Sequence, residues 1–289
     1  MSAYFIHLMI LVGIYGILAL SLQFVMGFGG LLNLGHIAFF AIGAYASALL
    51  NMAGYPYLLC LLVAILLPTV LAFIISKATD KLKGDYLALA TLGFSFVVFS
   101  LANNWTSLTR GPLGIPGIPK PMIFSYHIDT NTKYLIMVVI FVIVAYVVIK
   151  IISLSPFGKT LEAIRDNETE AKTLGKNTAA IKDIAIIISA MFAGLAGSLY
   201  AHYITYIDPA SFSFSDLMPI LVIVILGGLA SLEGTLFATL IIVLMPEVVR
   251  FVGLPSSMLG PARLAIYSLL LLFILLFLPK GFDGKIEFE

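Results

Sequence analysis

The first 76 residues contain no Asp, Glu, Lys or Arg. Over all 289 residues only 11% are charged, while 61% are hydrophobic. A soluble domain carries about 25% charged residues, so the composition points to a polytopic membrane protein. A net charge of +1 excludes a nucleic-acid partner held by bulk electrostatics. The single cysteine, Cys60, leaves no intrachain disulfide and no thiolate metal cluster. It falls in an apolar run and reads as packing. No Lys or Arg precedes Lys77, so the basic region of a secretory signal peptide is missing. The first apolar run is therefore expected to stay as a span. Gly-x-Ser-x-Gly is absent, the four histidines are scattered, and metal-ligand spacing is missing. These gaps argue against an intramembrane enzyme, and no cofactor is expected.

What the chain does have is long apolar runs, each near the roughly 17–25 residues that cross a bilayer. Nine are read, at 4–26, 31–50, 57–76, 86–102, 133–152, 183–203, 216–231, 234–252 and 262–279. Eight to ten is the full range, because the fourth and seventh are short. The expected fold is an all-α transmembrane bundle forming one domain over 1–289, with some spans short or broken. Between the runs lies a polar island, Ser153–Lys182, holding a large share of the charge. Placing it in the cytoplasm puts eleven of the 16 Lys and Arg on its side and five opposite. That satisfies the positive-inside rule, with the N-terminus outside and the C-terminus inside. The longest outer segment is then 103–132, a proline-stiffened extended loop offering Trp105 and Arg110 to an external partner or to the membrane interface. Glu247 and Arg250, three apart on a helix, are spaced to pair.

The island itself reads as structured. Ser155 can cap a helix that starts with Pro156. Phe157, Leu161 and Ile164 follow at helical spacing. Asn167 with Glu170 reads as a second cap, Ala171 and Leu174 continue an apolar face, and Gly175 is a C-terminal stop. Arg165 is in reach of Glu168, or of a carboxylate on a partner. Two short amphipathic helices are expected, either docking on a partner or forming a solvated connector. Gly158-Lys159-Thr160 imitates the end of a phosphate-binding loop, but position 153 is Ser where that motif needs Gly, and no strand precedes it.

The stretch SPFGKTLEAIRDNETEAKTLGKN resembles the cytoplasmic loop of permease subunits of branched-chain amino acid ABC importers, the type with SPFG and RDNE. The resemblance continues through LLNLGHIAFFAIGAYASALL, GDYLALATLGFSF, GPLGIPGIP, SAMFAGLAGSLYAH and LGGLASLEG. The general importer-loop signature, EAA followed three residues later by Gly, is not reproduced, because Glu170-Ala171 lies one residue too close to Gly175. The resemblance implies that the loop docks a cytoplasmic ATPase through Pro156, Phe157, Gly158, Leu161, Arg165, Asp166, Asn167, Glu168, Ala171, Leu174 and Gly175. It also implies a second related permease chain, two ATP-binding subunits, an external or periplasmic substrate-binding protein, and the bacterial inner membrane. The implied substrates are leucine, isoleucine or valine. Another small solute such as urea or a different amino acid is the alternative.

Candidate pathway residues cluster at two Gly-Gly turns. Gly29-Gly30-Leu31-Leu32-Asn33-Leu34 and Gly227-Gly228-Leu229-Ala230-Ser231-Leu232 match at four of six positions. The match is either chance or the trace of a structural repeat. Asn33 either caps the second span or hydrogen-bonds substrate. His36 is either a proton relay or a tie to a neighbouring helix. Ala190, Gly194, Ser198 and His202 lie four apart on one face, as tight helix packing requires. With no carboxylate or Lys at mid-span, an ion-coupled carrier is disfavoured. A translocation path driven by a partner is the reading that remains.

Overall fold

The computed structural model describes residues 2–80, 82, 84–123, 126–251, 256–277, 281–282 and 284. Uninterrupted apolar sequence in a bilayer must satisfy its own backbone hydrogen bonds, and it does so as helix. Helix α1 spans Ser2–Gln23 and continues as a π-helical turn, Phe24–Phe28. Then come α2 His36–Met52, α3 Tyr57–Thr79 and α4 Asp85–Asn104. A short α5, Thr106–Thr109, precedes α6 Asn131–Leu154, α7 Pro156–Asp166, α8 Glu168–Thr173 and α9 Thr178–Ile204. The chain closes with α10 Phe214–Gly227, α11 Leu232–Phe251 and α12 Ser256–Phe277. Among the described residues six helices are long and apolar enough to cross a membrane, and three apolar ones are shorter: His36–Met52, Leu232–Pro246 and Leu264–Phe273.

Three sequence expectations are corrected. The second apolar run starts as a helix at His36, not at 31, and the seventh stops at Gly227, not at 231. Each boundary moves because a glycine beside it takes a left-handed conformation, Gly30 at φ +64° and Gly228 at φ +92°. Segment 103–132 is partly folded rather than simply extended. It carries α5, a 3-10 turn at Gly111–Leu113, and strand β1 Ile115–Pro116. It also carries the two-stranded hairpin β2 Met122–Ile123 with β3 Tyr126–His127. β1 pairs antiparallel with β4, Tyr206–Ile207, which roofs the end of α9. The Glu247–Arg250 pair lies outside the described side chains, as do Lys81, Lys83, Arg263, Lys280 and Lys285 of the charge balance.

Helix α9 is the centre. In its apolar window 67% of residues are buried, against 22% for α6, so α9 meets protein on nearly every side. Its small face makes this possible: a Cβ at Gly197 would lie 2.7 Å from the backbone nitrogen of Ala44 on α2. Ser198 and Ser47 share a hydrogen bond of 2.7 Å across the same contact. Glycine and serine let the two backbones approach where larger residues would hold them apart. The outward faces of α3, α4 and α6 are apolar, with Leu62, Val97 and Ile140 exposed, which suits lipid.

Polar groups tie the helices at the loop end. Lys77 of α3 pairs with Asp183 of α9. Lys150 of α6 pairs with Glu233 of α11 at 2.7 Å. His36 is fully buried between α1 and α9, with Nε2 3.0 Å from Ser21 Oγ and Nδ1 3.4 Å from Ser189 Oγ. Its ring thus contacts Ser21 on α1 and Ser189 on α9. Cys60 is buried within the bundle, as packing requires.

Candidate coupling and translocation site

The loop begins where α6 ends. The Ser155 side chain accepts the Gly158 amide, with Pro156 as the first helical residue. Gly158 has no room for a side chain, since a Cβ there would lie 2.5 Å from the Ile152 carbonyl oxygen. Asn167 caps α8, its Oδ1 accepting the amides of Thr169 and Glu170 and its Nδ2 donating to Glu170 Oε1 at 2.6 Å. Gly175, at φ +77°, ends α8. Its amide donates to the Lys172 carbonyl and that of Lys176 to Ala171, the paired bonds of a Schellman stop.

The apolar stripe of α7 points inward. Leu161 and Ile164 are buried, Phe157 is half-buried beside them, and Ala171 is buried on α8. What remains outside is polar, with Asp166, Asn167 and Glu170 exposed, apart from Leu174 at 78% exposure. Glu168 accepts from Lys172 at 2.9 Å and from Lys182 at 3.0 Å. Burial alone would push its carboxyl up, but the two ammonium groups outweigh it and hold the pKa at about 2. These pairs fasten α8 to the start of α9.

The Arg165 guanidinium turns to Asp166 and Gly27, while Glu168 Oε1 takes Lys172, Lys182 and the Thr178 hydroxyl. Its Nε and Nη2 meet Asp166 Oδ1, each at 2.8 Å. Its Nη1 donates to the Gly27 carbonyl at 2.9 Å, across 138 residues of sequence. The arginine stem covers Gly30, where a Cβ would lie 2.6 Å from Arg165 Cγ. At Gly29 a Cβ would lie 3.3 Å from Leu161 Cδ1. Helix α7 therefore rests directly on the first helix break.

That break runs from Gly29 to Gly35. The amides of Gly30 and Leu31 close the π turn onto Met26 and Val25. Asn33 Oδ1 accepts the Gly35 amide at 3.0 Å, directly ahead of α2, so Asn33 acts in turn formation. Asn33 is buried and its Nδ2 has no partner. The second break, Gly228–Ser231, ends α10, and Ser231 Oγ caps α11 by accepting the Gly234 amide at 3.0 Å. Gly227 is walled by α11, a Cβ there lying 2.6 Å from the Thr235 nitrogen.

The two breaks touch. Gln23, fully buried at the end of α1, donates through Nε2 to the carbonyls of Gly228 at 2.6 Å and Ser231 at 3.1 Å. At Gly27 a Cβ would meet the Ala230 nitrogen at 2.6 Å. Sequence reasoning passed over Gln23, although it is the only glutamine in the chain and lies in an apolar span. A lone amide in such a run is costly unless it bonds across helices, and that was the available signal. Backbone carbonyls at the two breaks thus each take a side-chain donor, from Arg165 of the loop at Gly27 and from Gln23 of α1 at Gly228 and Ser231. Such bonds can be exchanged without breaking a helix, which is what a moving gate needs.

Comparison with known proteins now adds to this geometry. Residues 4–279 match the family described as the permease component of the branched-chain amino acid transport system. The chain belongs to this family. It is 36% identical over 262 residues to the high-affinity branched-chain amino acid transport system permease protein LivM of Salmonella typhimurium. That match covers 82% of this chain and 61% of LivM, so the permease spans well under two thirds of that relative. It is 25% identical over 315 residues to the probable branched-chain amino acid transport permease protein LivM of Methanocaldococcus jannaschii, covering 93% and 90% of the two chains. It is also 25% identical over 293 residues to the permease protein LivH of Escherichia coli, covering 95% and 92%. No solved structure matches the permease significantly.

Proposed function

We propose that this chain is the translocation subunit of an importer of leucine, isoleucine or valine in a bacterial inner membrane, powered by separate ATPase subunits. Family membership and the similarity to LivM support the substrate class. Similarity to LivH as well as LivM supports a second related permease chain beside this one. Two ATPases dock on α7 and α8 from the cytoplasm, and an external binding protein delivers the amino acid at the opposite end. The basic residues support this orientation, with the N-terminus outside and the C-terminus inside.

The observation that carries the mechanism is the hydrogen bond from Arg165 to the Gly27 carbonyl. It joins the loop offered to the ATPase to the break between α1 and α2. Gln23 passes the contact to the second break. When ATP binding draws the ATPases together, α7 moves as a unit and the broken helices shift with it, switching access from outside to inside. The glycines at the breaks absorb the backbone change. The chain itself carries out no chemistry, and the free energy comes from its partners.

The test is uptake of radiolabelled leucine into proteoliposomes holding the assembled complex, with ATP inside and loaded binding protein outside. Uptake is expected only with hydrolysable ATP. Uptake unaffected by ATP, or hydrolysis with no leucine entry, contradicts the proposal.

A further inference from the structure

Away from α7, at the other end of the bundle, a cavity of about 640 Å³ opens between α1, α10, α11 and α12. Its volume is in the range of small-molecule sites, roughly 300–1,000 Å³. Its α1 wall includes Tyr15, eight residues before Gln23 and so about 12 Å along the helix from it. On α10 it includes Ile223, one turn above Gly227. The cavity therefore stands over the joined breaks with its floor next to them.

Two of its helices carry an internal proline at the cavity wall, Pro219 on α10 and Pro246 on α11. A proline has no N–H for the carbonyl four residues earlier. Those carbonyls belong to Ser215 and Ile242, and both residues line this cavity. Asp216 lines it too. Its Oδ2 accepts the Ser213 amide at 3.2 Å and the Ser213 hydroxyl at 2.6 Å. Its Oδ1 takes no hydrogen bond among the described residues. The Ile242 residue is fully buried, so the site offers a carboxylate oxygen and, at Ser215, one backbone oxygen without its helical donor. The remaining wall is aliphatic at Leu8, Leu11, Ile223, Val243 and Leu264 and polar at His7, Tyr15, Ser213 and Tyr267.

We infer that this cavity is the resting site of the imported amino acid, with its ammonium on Asp216 and the Ser215 carbonyl and its branched side chain on the aliphatic wall. The inference rests on the importer reading and locates its substrate. A carboxylate in a membrane helix is costly and marks function when it faces a polar cavity. The ammonium supplies the charge that offsets it. The aliphatic part of the wall presents no hydrogen-bonding group by which to reject leucine, isoleucine or valine.

The test uses the assembled complex in proteoliposomes. Asp216→Asn keeps an oxygen for the Ser213 cap but removes the charge. It is expected to lower leucine uptake roughly thirtyfold or more while ATP hydrolysis stimulated by the loaded binding protein is retained. Asp208→Asn removes a neighbouring charge outside the cavity while keeping an oxygen for the Ser211 amide, and is expected to keep uptake within about threefold of wild type. A second readout needs no turnover. In a Cys60→Ser background, Val243→Cys is labelled with a thiol reagent. Leucine should slow labelling, 4-methylpentanoate, which lacks the ammonium, should not, and Asp216→Asn should abolish the protection by leucine. Wild-type uptake in Asp216→Asn, a matching loss in Asp208→Asn, or equal labelling with both compounds overturns the assignment. A wild-type complex that imports no branched-chain amino acid overturns the importer reading itself, which separates the two failures.

Discussion

Arg165 Nη1 donates to the carbonyl of Gly27 at 2.9 Å, and the arginine stem lies over Gly30. A charged side chain of the polar loop is thereby fixed to the backbone at the first helix break. Arg165 has 16% of its side chain exposed, so it is an internal strut more than a surface charge. A hydrogen bond from a charged donor to a partly buried carbonyl contributes about 1.5–3 kcal/mol. That is enough to make α7 and the break move together, and the predictions below follow from this joint.

Gln23→Leu removes both bonds that join α1 to the second break, although the Gly228 carbonyl still accepts the Ser231 amide and the Ser231 carbonyl still accepts from Thr235. Each buried hydrogen bond lost costs about 0.5–1.5 kcal/mol. A lowered thermal unfolding midpoint of the purified complex and weakened coupling of hydrolysis to uptake are expected. Gln23→Glu should behave similarly, since it replaces the donor by an acceptor. An unchanged midpoint with normal uptake in Gln23→Leu would show that the breaks do not depend on each other.

Gly30 and Gly228 have positive φ, where any residue with a Cβ is strained by about 1–2 kcal/mol. Gly30→Ala also drives a methyl into the Arg165 stem. Both variants are expected to assemble with the ATPase subunits and to lose uptake, and the Val variants more so. If both Ala variants transport leucine at the wild-type rate, the glycines form no gate.

The Glu168 carboxyl is held at about 2 in the folded protein, below its ordinary value. A depressed carboxylate stabilises the fold above its unfolded pKa of about 4.3 and loses that contribution as pH falls toward 2. The protection of the α8 amides, taken against their intrinsic exchange rate at each pH, should therefore hold down to about pH 4.5 and fall below it. In Glu168→Gln protection should be lower at neutral pH and nearly constant over that window. Slow exchange in the variant at neutral pH would remove the Lys172–Glu168–Lys182 cluster as the fastening of α8 to α9.

Much of the loop was legible because its signals are local. Ser155 with Pro156, Asn167 with Glu170, and Gly175 as a stop each announce a helix end within four residues. The apolar runs were legible for the same reason, and among the described residues six form helices long and apolar enough to cross a membrane. Where the break intervenes, local reading overshot: Leu31–Gly35 and Leu229–Ser231 are apolar enough to extend a span, yet a single left-handed glycine ends the helix before them. The Arg165–Gly27 and Gln23–Gly228 contacts join residues 138 and 205 apart, and no local pattern announces such pairs. Asp216 read as the edge of a span. Its place beside a freed carbonyl depends on four helices meeting.

Orientation is tested with single cysteines in a Cys60→Ser background. Leu174 and Leu113 are 78% and 81% exposed, on the loop and in the opposite segment. An impermeant thiol reagent on intact cells should label Leu113→Cys and leave Leu174→Cys untouched until the membrane is opened. The reverse pattern would invert the topology and detach the loop from any cytoplasmic ATPase.

The most direct test of the central claim is the number of ATP molecules hydrolysed per leucine imported by the reconstituted complex carrying Arg165→Ala. Losing the bond to Gly27 removes about 1.5–3 kcal/mol of coupling, or roughly ten- to a hundredfold. The ratio should rise by at least about tenfold while the ATPase subunits remain bound and active. A ratio equal to that of the wild type, with the complex intact, contradicts the account.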